Sequence, residues 1–436
     1  MGPSIETVKG ATFGEVFAVK EFRVLFGSFV LLVGGEAIKM LALSVLVYAR
    51  TGSPGLSAAA YMAGWLPYIV GGLFLLSLAD RMSPRALMAA GELVRAVTCA
   101  LLAYAGLPVW AMLALVLATG LFSPVFLAAR AAMLPEVLPG DAFVLGRSML
   151  NMASAGAQIV GLAAGGAFLA FTGPSGALAA TAGVSVVAAG VLRFGLPYRA
   201  ARGAGGRGSA EQDSGEQGVG GQSGGQGAVR QTLRVNRRLL ADRRVRGLLL
   251  AAWLPPMCLA GAEAMVVPYL GGQGEAGVVL AAAAGGMAVG QFAVGRFAAP
   301  RTRERLSLPL AVLLGVPWLV FAFTPGIVGA SVLAAVGAAG LAYQLGLQRR
   351  FVDAVPEEAL GQAFGLQSAG LMTGQAAGAA LAGALGEVSA PGTAIALSGA
   401  AGVLVALALA RVLRPGAPVE AAGNGETARP TGQAVS

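Results

Sequence analysis

Three ionisable side chains stand inside runs that are otherwise apolar enough to bury themselves completely. Glu36 and Lys39 lie in VLFGSFVLLVGGEAIKMLALSVLVYA, residues 24–49, and Glu263 lies in the run 246–270. Glu36 is 13 residues past Arg23 and 14 before Arg50, which on a helix places it ~20 Å from either flank. A charge at that depth of a bilayer costs ~2.5–3.5 kcal/mol on insertion scales, so it is kept for a purpose. Lys39 follows Glu36 by three residues and shares its side of a helix. Glu263, 17 residues past Arg246, has no base in its own run beyond that arginine. Two acids and one base leave one negative charge for a proton or a cation to balance. A carboxyl group held away from water can take up and release a proton, which makes Glu263 the first candidate for that exchange and Glu36 the second. Lys39 is then one base shared between two carboxylates.

The elements that must position them are transmembrane helices. The 436 residues are 56% hydrophobic and only 12% charged, with a mean hydropathy of +0.74, far from an ordinary soluble domain. Twelve apolar runs are predicted as spanning helices: 24–49, 55–79, 86–105, 108–129, 148–171, 176–197, 246–270, 275–299, 307–325, 328–348, 363–387 and 392–413. They are continuous and rich in Ala, Leu and Gly, unlike the short alternating segments of a β-barrel. The fold class is an all-α integral membrane protein. No signal peptide is expected, because the first run is too long for one. Histidine is absent, and Cys99 and Cys258 both fall inside predicted spans, so metal sites, disulfides and cofactors are not expected.

Basic residues set the orientation, since positive charge in short loops stays cytoplasmic. Lys9, Lys20, Arg23, Arg81, Arg85, Arg130, Arg147, Arg301, Arg303, Arg305, Arg349 and Arg350 all fall on one side, with Arg50 on the other. Both termini are therefore placed in the cytoplasm of a multi-pass cell-membrane protein. The formal charge of +9 is read as topology and lipid contact, with no nucleic-acid partner. Between the sixth and seventh spans, residues 198–245 begin as a Gly, Gln and Ser-rich linker and end as the basic segment RQTLRVNRRLLADRRVRG, which reads as amphipathic and membrane-surface-bound. Residues 415–436 read as a disordered tail. The bundles are then 1–197 and 246–414.

Other polar groups fall within the spans. Glu92 and Arg95, an i, i+3 pair, read as structural partners near the cytoplasmic end of the third span. Asn151, Gln158, Tyr343, Gln344 and Gln375 suit either interhelical hydrogen bonds or cavity contacts. Tyr61, Trp65 and Tyr68 share one helix face and read as packing or as an aromatic cavity wall. Gly161, Gly165, Gly166, Gly374 and Gly378 read as close-packing positions. Three pairs of segments recur in order in the two halves: GGEA at 34–37 with GAEA at 261–264, PGDAFVLG from Pro139 with LGQAFGLQ from Leu360, and GLAAGG from Gly161 with GQAAGA from Gly374. The order points to a duplicated six-helix unit.

With LLSLADRMSPRAL after the second span, the sequence resembles the major facilitator superfamily over nearly all of the chain outside the linker and tail. This loop is similar to the family signature GxLADRxGRR, with Asp80, Arg81 and Arg85 at matching positions and Leu76, Ser83 and Pro84 departing from it. The stretches ARAAMLPEVLPGDAFVLGRSMLNMASA and LQRRFVDAVPEEALGQAFGLQSAGLMTGQAAGAALAGAL are similar to the branch of enterobactin-type exporters and drug:proton antiporters. AQIVGLAAGG resembles the antiporter signature GxxxGPxxGG, with Leu162 in place of Pro and Ala157 in place of the first Gly. The resemblance implies two pseudo-symmetric six-helix bundles, a central cavity lined by the first and seventh helices, and a cytoplasmic gate at Asp80, Arg81 and Arg85 joined by Glu92 and Arg95. It implies proton-coupled export of a small amphipathic or drug-like molecule by a monomer, with import or facilitated passage of a small polar metabolite as the alternative. A membrane assembly protein without transport is a remoter alternative. No GxxxxGK[ST] occurs and the only lysines are Lys9, Lys20 and Lys39, so the chain carries no ATPase loop of its own. An enzyme is not expected.

Overall fold

The computed structural model describes residues 12–64, 83–139, 141–199, 234–271, 274–356 and 359–414. Trp65, Tyr68, Asp80, Arg81, most of the linker and the tail 415–436 lie outside them. A short helix α1 (Phe13–Ala18) opens the chain on a capping box between Thr12 and Glu15. α2 (Lys20–Thr51) is closed by Gly52 in the left-handed conformation, and Pro54 with the Ser53 side chain starts α3 (Pro54–Met62), an arrangement that satisfies the free helix ends. α4 (Pro84–Tyr104) and α5 (Val109–Val137) follow, then the long α6 (Asp141–Gly195), in which Gly173 at φ 72° before Pro174 separates two arms.

The second half contains α7 (Arg243–Ala264), α8 (Glu275–Phe297), α9 (Pro300–Leu313), α10 (Ile327–Ala339), α11 (Gln344–Ala354), α12 (Leu360–Val388) and α13 (Pro391–Ala408). Among the described residues nine segments are long and apolar enough to cross a membrane, one of them holding both arms of α6. No strand occurs among them. Phe171, Phe194, Phe323 and Val388 are each more than 80% exposed, an apolar girdle suited to lipid.

Several runs depart from their expected form, those over 246–270 and 392–413 by short breaks at Met265 and Leu409. The run 307–325 ends its α-helix at Leu313 and continues as a 3-10 helix over Val316–Phe323, because Gly315 and Pro317 interrupt the hydrogen-bond ladder. The run 328–348 tightens to 3-10 over Gly340–Tyr343. The fourth helix runs eight residues beyond its expected end at 129, through Pro135 to Val137. Residues 234–241 are helical, with Leu239 buried and Arg237 and Arg238 exposed, so the basic segment has an apolar side against the core.

The repeated motifs dock onto one another within each half. Gly34 of GGEA meets Gly161 of GLAAGG so closely that a Cβ on Gly161 would lie 2.6 Å from the Gly34 carbonyl oxygen. Gly261 of GAEA meets Gly378 of GQAAGA, where a Cβ on Gly261 would lie 2.9 Å from the Gly378 carbonyl oxygen. The first and fifth helices of each half therefore cross at small residues, where backbones can touch. α7 carries Pro255 and Pro256, so the carbonyl of Ala251 has no N–H four residues on. The Tyr343 hydroxyl fills the gap, donating to that oxygen at 2.6 Å.

The halves meet at one face of the bundle, the face holding the turn at 51–54. There Gly166 of α6 lies against Gly274 and Gly277 of α8, and Gly55 of α3 against Gly383 of α12. Glu387, at the end of α12, accepts hydrogen bonds from the Ser53 hydroxyl and from the Gly55 amide, the latter at 2.8 Å.

Candidate functional site

The first half holds a cavity of about 380 Å³ between α2, α4 and α5, with Ser154 of α6, Gly64 after α3 and Met372 of α12 completing its wall. On α2 the lining runs from Phe29 to Lys39, a length of ~15 Å, from mid-helix toward the face that carries the start of α2. Most of the wall is apolar. Five charged side chains stand in it: Glu36, Lys39, Glu92, Arg95 and Arg130.

Their pairing is specific. Lys39 Nζ lies 2.7 Å from Glu36 Oε1, so Lys39 leans along its own helix, and the sharing with Glu263 anticipated above does not occur. Glu92 Oε2 is engaged by Arg95, whose Nε also donates to Ser185 at 2.9 Å and whose Nη1 donates to the Leu32 carbonyl at 3.2 Å. Arg130 donates to Ser28 Oγ at 2.8 Å and to the Leu25 carbonyl at 3.0 Å, and its Nη2 lies 4.0 Å from Glu92 Oε1. That oxygen is buried with no hydrogen-bond partner among the described residues. Glu92 and Arg130 are 1% and 7% exposed, so this second pair is sealed, while the Glu36 side chain is 33% exposed to the cavity.

Glu92 and Arg95 therefore sit in the cavity wall with Glu36. Arg85, placed with them at the gate by the resemblance, donates to the Leu196 carbonyl at 3.0 Å and lies over the Tyr198 ring, while Asp80 and Arg81 lie outside the described residues. Arg130, read from the sequence as a loop residue, is inside α5 and points back to α2. The charge count changes accordingly: the cavity holds three bases and two acids.

Glu263 is elsewhere. It occupies the last turn of α7, half-buried, where α7 packs on α3 close enough to Tyr61 to act on it electrostatically. No cation among the described residues acts on it. Tyr61, Gln158, Tyr343, Gln344 and Gln375 do not line the cavity. Tyr61 is buried in the core, Tyr343 bridges to Ala251, and Gln375 Oε1 is buried without a hydrogen-bond partner among the described residues. The side chain of Asn151 is outside the description. Gly161, Gly166 and Gly378 make backbone contacts, Gly165 packs against Ile38, and Gly374 is in ordinary contact with Met257.

The sequence reading missed Ser28, Ser185 and Glu387, and misplaced Arg130. Ser28 and Ser185 are too common in membrane helices to stand out. Arg130 carried a signal, since AARAAMLPEV keeps helix-forming residues on both sides of it.

Solved structures share this architecture. A bacterial homologue of the human lysosomal transporter Spinster, in an inward-facing and unoccupied conformation, is 13% identical with a TM-score of 0.60, covering 90% of this chain and 95% of its own. The nucleoside transporter NupG is 14% identical with a TM-score of 0.60, covering 90% and 100%. The xylose transporter XylE from E. coli, in an inward open conformation, is 14% identical with a TM-score of 0.62, covering 93% and 98%. At such identities the likeness is one of fold. No curated protein matches the sequence. The family model described as Major Facilitator Superfamily matches residues 24–348, a stretch that takes in every cavity-lining residue but Met372, together with Glu263 and the contacts between α6 and α8, and the chain belongs to that superfamily.

Proposed function

We propose that the protein is a secondary active transporter that exports a small amphipathic or drug-like molecule by alternating access, with proton entry as the driving step. Membership of the superfamily makes the chain a transporter and not an enzyme. The observation that carries the finer reading is the cavity in the first half, with five charged side chains inside membrane helices and an otherwise mostly apolar wall. Such a site binds an amphipathic molecule through its body and orients it through its charges. Contacts between the halves at Gly166–Gly277 and Ser53–Glu387 close one face, and the cavity lies toward the other.

With the termini in the cytoplasm, this is a cytoplasm-facing state in the cell membrane. The halves 1–197 and 246–414 rock about the midplane, and Asp80, Arg81 and Arg85 secure the cytoplasmic ends when that side closes. Glu263 is the group that exchanges the proton, because no cation among the described residues holds it ionised. Its place at the α3–α7 contact lets protonation alter how the halves meet. The molecule acts as a monomer.

The test is transport in proteoliposomes under an imposed pH gradient. Glu263→Gln should abolish gradient-driven flux while leaving substrate exchange between equal concentrations intact. Flux that ignores the gradient in the unmodified protein would favour a facilitator. Full coupling in Glu263→Gln would remove the assignment.

A further inference from the structure

We infer that the cavity accepts an amphipathic organic anion, with Lys39 contacting its negative group. This rests on the transporter reading and names the substrate class. Lys39, Arg95 and Arg130 face Glu36 and Glu92, and no other ionisable residue among those described lines the wall. The site therefore carries one positive charge in surplus, within a low-dielectric surround where an uncompensated charge is costly. Glu263 is not among the residues that line the wall.

The bases differ in what holds them. Arg95 donates to Glu92, Ser185 and the Leu32 carbonyl, and Arg130 donates to Ser28 and the Leu25 carbonyl beside Glu92, so each guanidinium is fixed in place by groups on other helices. These two hold α4 and α5 against α2. Lys39, its side chain 9% exposed, makes one ion pair among the described residues, to Glu36, which is 33% exposed. An ammonium has three donors, so Lys39 retains donors for a ligand. The rest of the cavity wall includes apolar and aromatic side chains, among them Phe29, Val33, Met88, Phe126 and Met372. A carboxylate, sulfonate or phenolate on an aromatic body matches both features. An amine of the same shape would add a second uncompensated positive charge.

The experiment is calorimetric titration of the full-length protein in detergent, without a gradient, using 2-naphthylacetate, 2-naphthylacetamide and 2-(2-naphthyl)ethylamine. The carboxylate should bind at least tenfold more tightly than the amide, and the amine most weakly. Lys39→Met should bring carboxylate and amide to equal affinity, whereas Glu36→Gln should widen their gap. If Lys39→Met fails to fold because it strands Glu36, the double variant Glu36→Gln/Lys39→Met removes the pair together and should likewise lose the preference. Tighter binding of the amine, equal binding of all three, or a preference that survives in the double variant would overturn the proposal. Displacement of the carboxylate by equimolar chloride would overturn the requirement for an organic body. Because the titration is run without a gradient, its outcome does not depend on proton coupling, so failure of the coupling assignment and failure of the anion preference are read separately.

Discussion

Gly277→Ala should open the closed face of the molecule without unfolding it. Gly277 stands on α8 at the junction of the halves, where a Cβ would lie 2.5 Å from the Gly166 Cα and 2.7 Å from the Leu162 carbonyl oxygen. Both neighbours are backbone, so no side chain can rotate away, and α6 and α8 must separate by about 1 Å to reach ordinary contact. Overpacking of this kind costs ~1–3 kcal/mol. That cost applies to the state in which the helices touch and not to the state in which they have parted. It should therefore appear as a change in the equilibrium between states, by about 5- to 150-fold.

The readout is a distance distribution between spin labels at Tyr104→Cys and Phe323→Cys, exposed positions on the two halves, in a background with Cys99 and Cys258 replaced by Ala. Gly277→Ala should add a longer-distance population. Gly285→Ala, on the same helix with nothing within 4 Å of its Cβ, should leave the distribution unchanged. Gly286→Ala meets the Ala335 carbonyl oxygen at 2.0 Å inside one half, so it should lower thermal stability without shifting the distances. If Gly277→Ala behaved like Gly286→Ala, the α6–α8 contact would belong to a single rigid body and the reasoning would fail.

Further outcomes follow from named contacts. Glu387→Gln weakens the acceptor that holds Ser53 and Gly55, so it should lengthen the same label-to-label distance; an unchanged distribution would show that the glycine contacts suffice. Tyr343→Phe leaves the Ala251 carbonyl buried without a donor, at a cost of ~1–3 kcal/mol, read as a lower unfolding temperature in detergent. Restoring an N–H with Pro255→Ala in the Tyr343→Phe protein should recover part of that loss, and purely additive effects would mean that the hydroxyl is not replacing the missing helical bond. Arg130→Lys should destabilise the protein nearly as much as Arg130→Met, because a single ammonium cannot reach Ser28, the Leu25 carbonyl and Glu92 together; full stability in the lysine variant would refute the bridging role.

Much of this architecture is legible in the sequence because hydropathy and helix length are properties of contiguous residues. The runs around Glu36 and Glu263 appear where expected, and the i, i+3 spacing brings Lys39 onto Glu36 as local geometry requires. The repeated segments convey more than duplication, since Gly34 docks on Gly161 and Gly261 on Gly378. Two motifs that recur together in sequence are the two sides of one helix crossing. The expected continuous helices over 307–325 and 328–348 fail for a different reason. Apolar runs show where a segment can be buried, while Gly315, Pro317 and Gly340 decide how its hydrogen bonds are made.

The charges show the limit most clearly. Hydropathy assigns each charged residue a cost in isolation, so Arg130 near the end of an apolar run reads as a loop residue and Glu92–Arg95 as a self-contained pair. In the folded chain Arg130 reaches back more than a hundred residues to Leu25 and Ser28, joining the helix that carries Glu36 to the one that carries Glu92. The two carboxylates matched by the repeat, Glu36 and Glu263, are then placed in different surroundings, one paired beside a basic cavity and one at the contact between halves with no ion pair among the described residues. Pseudo-symmetry preserves the helix crossing but not the counter-ions. That asymmetry is why the surplus of charge in the cavity is positive although the apolar runs taken one at a time point to negative.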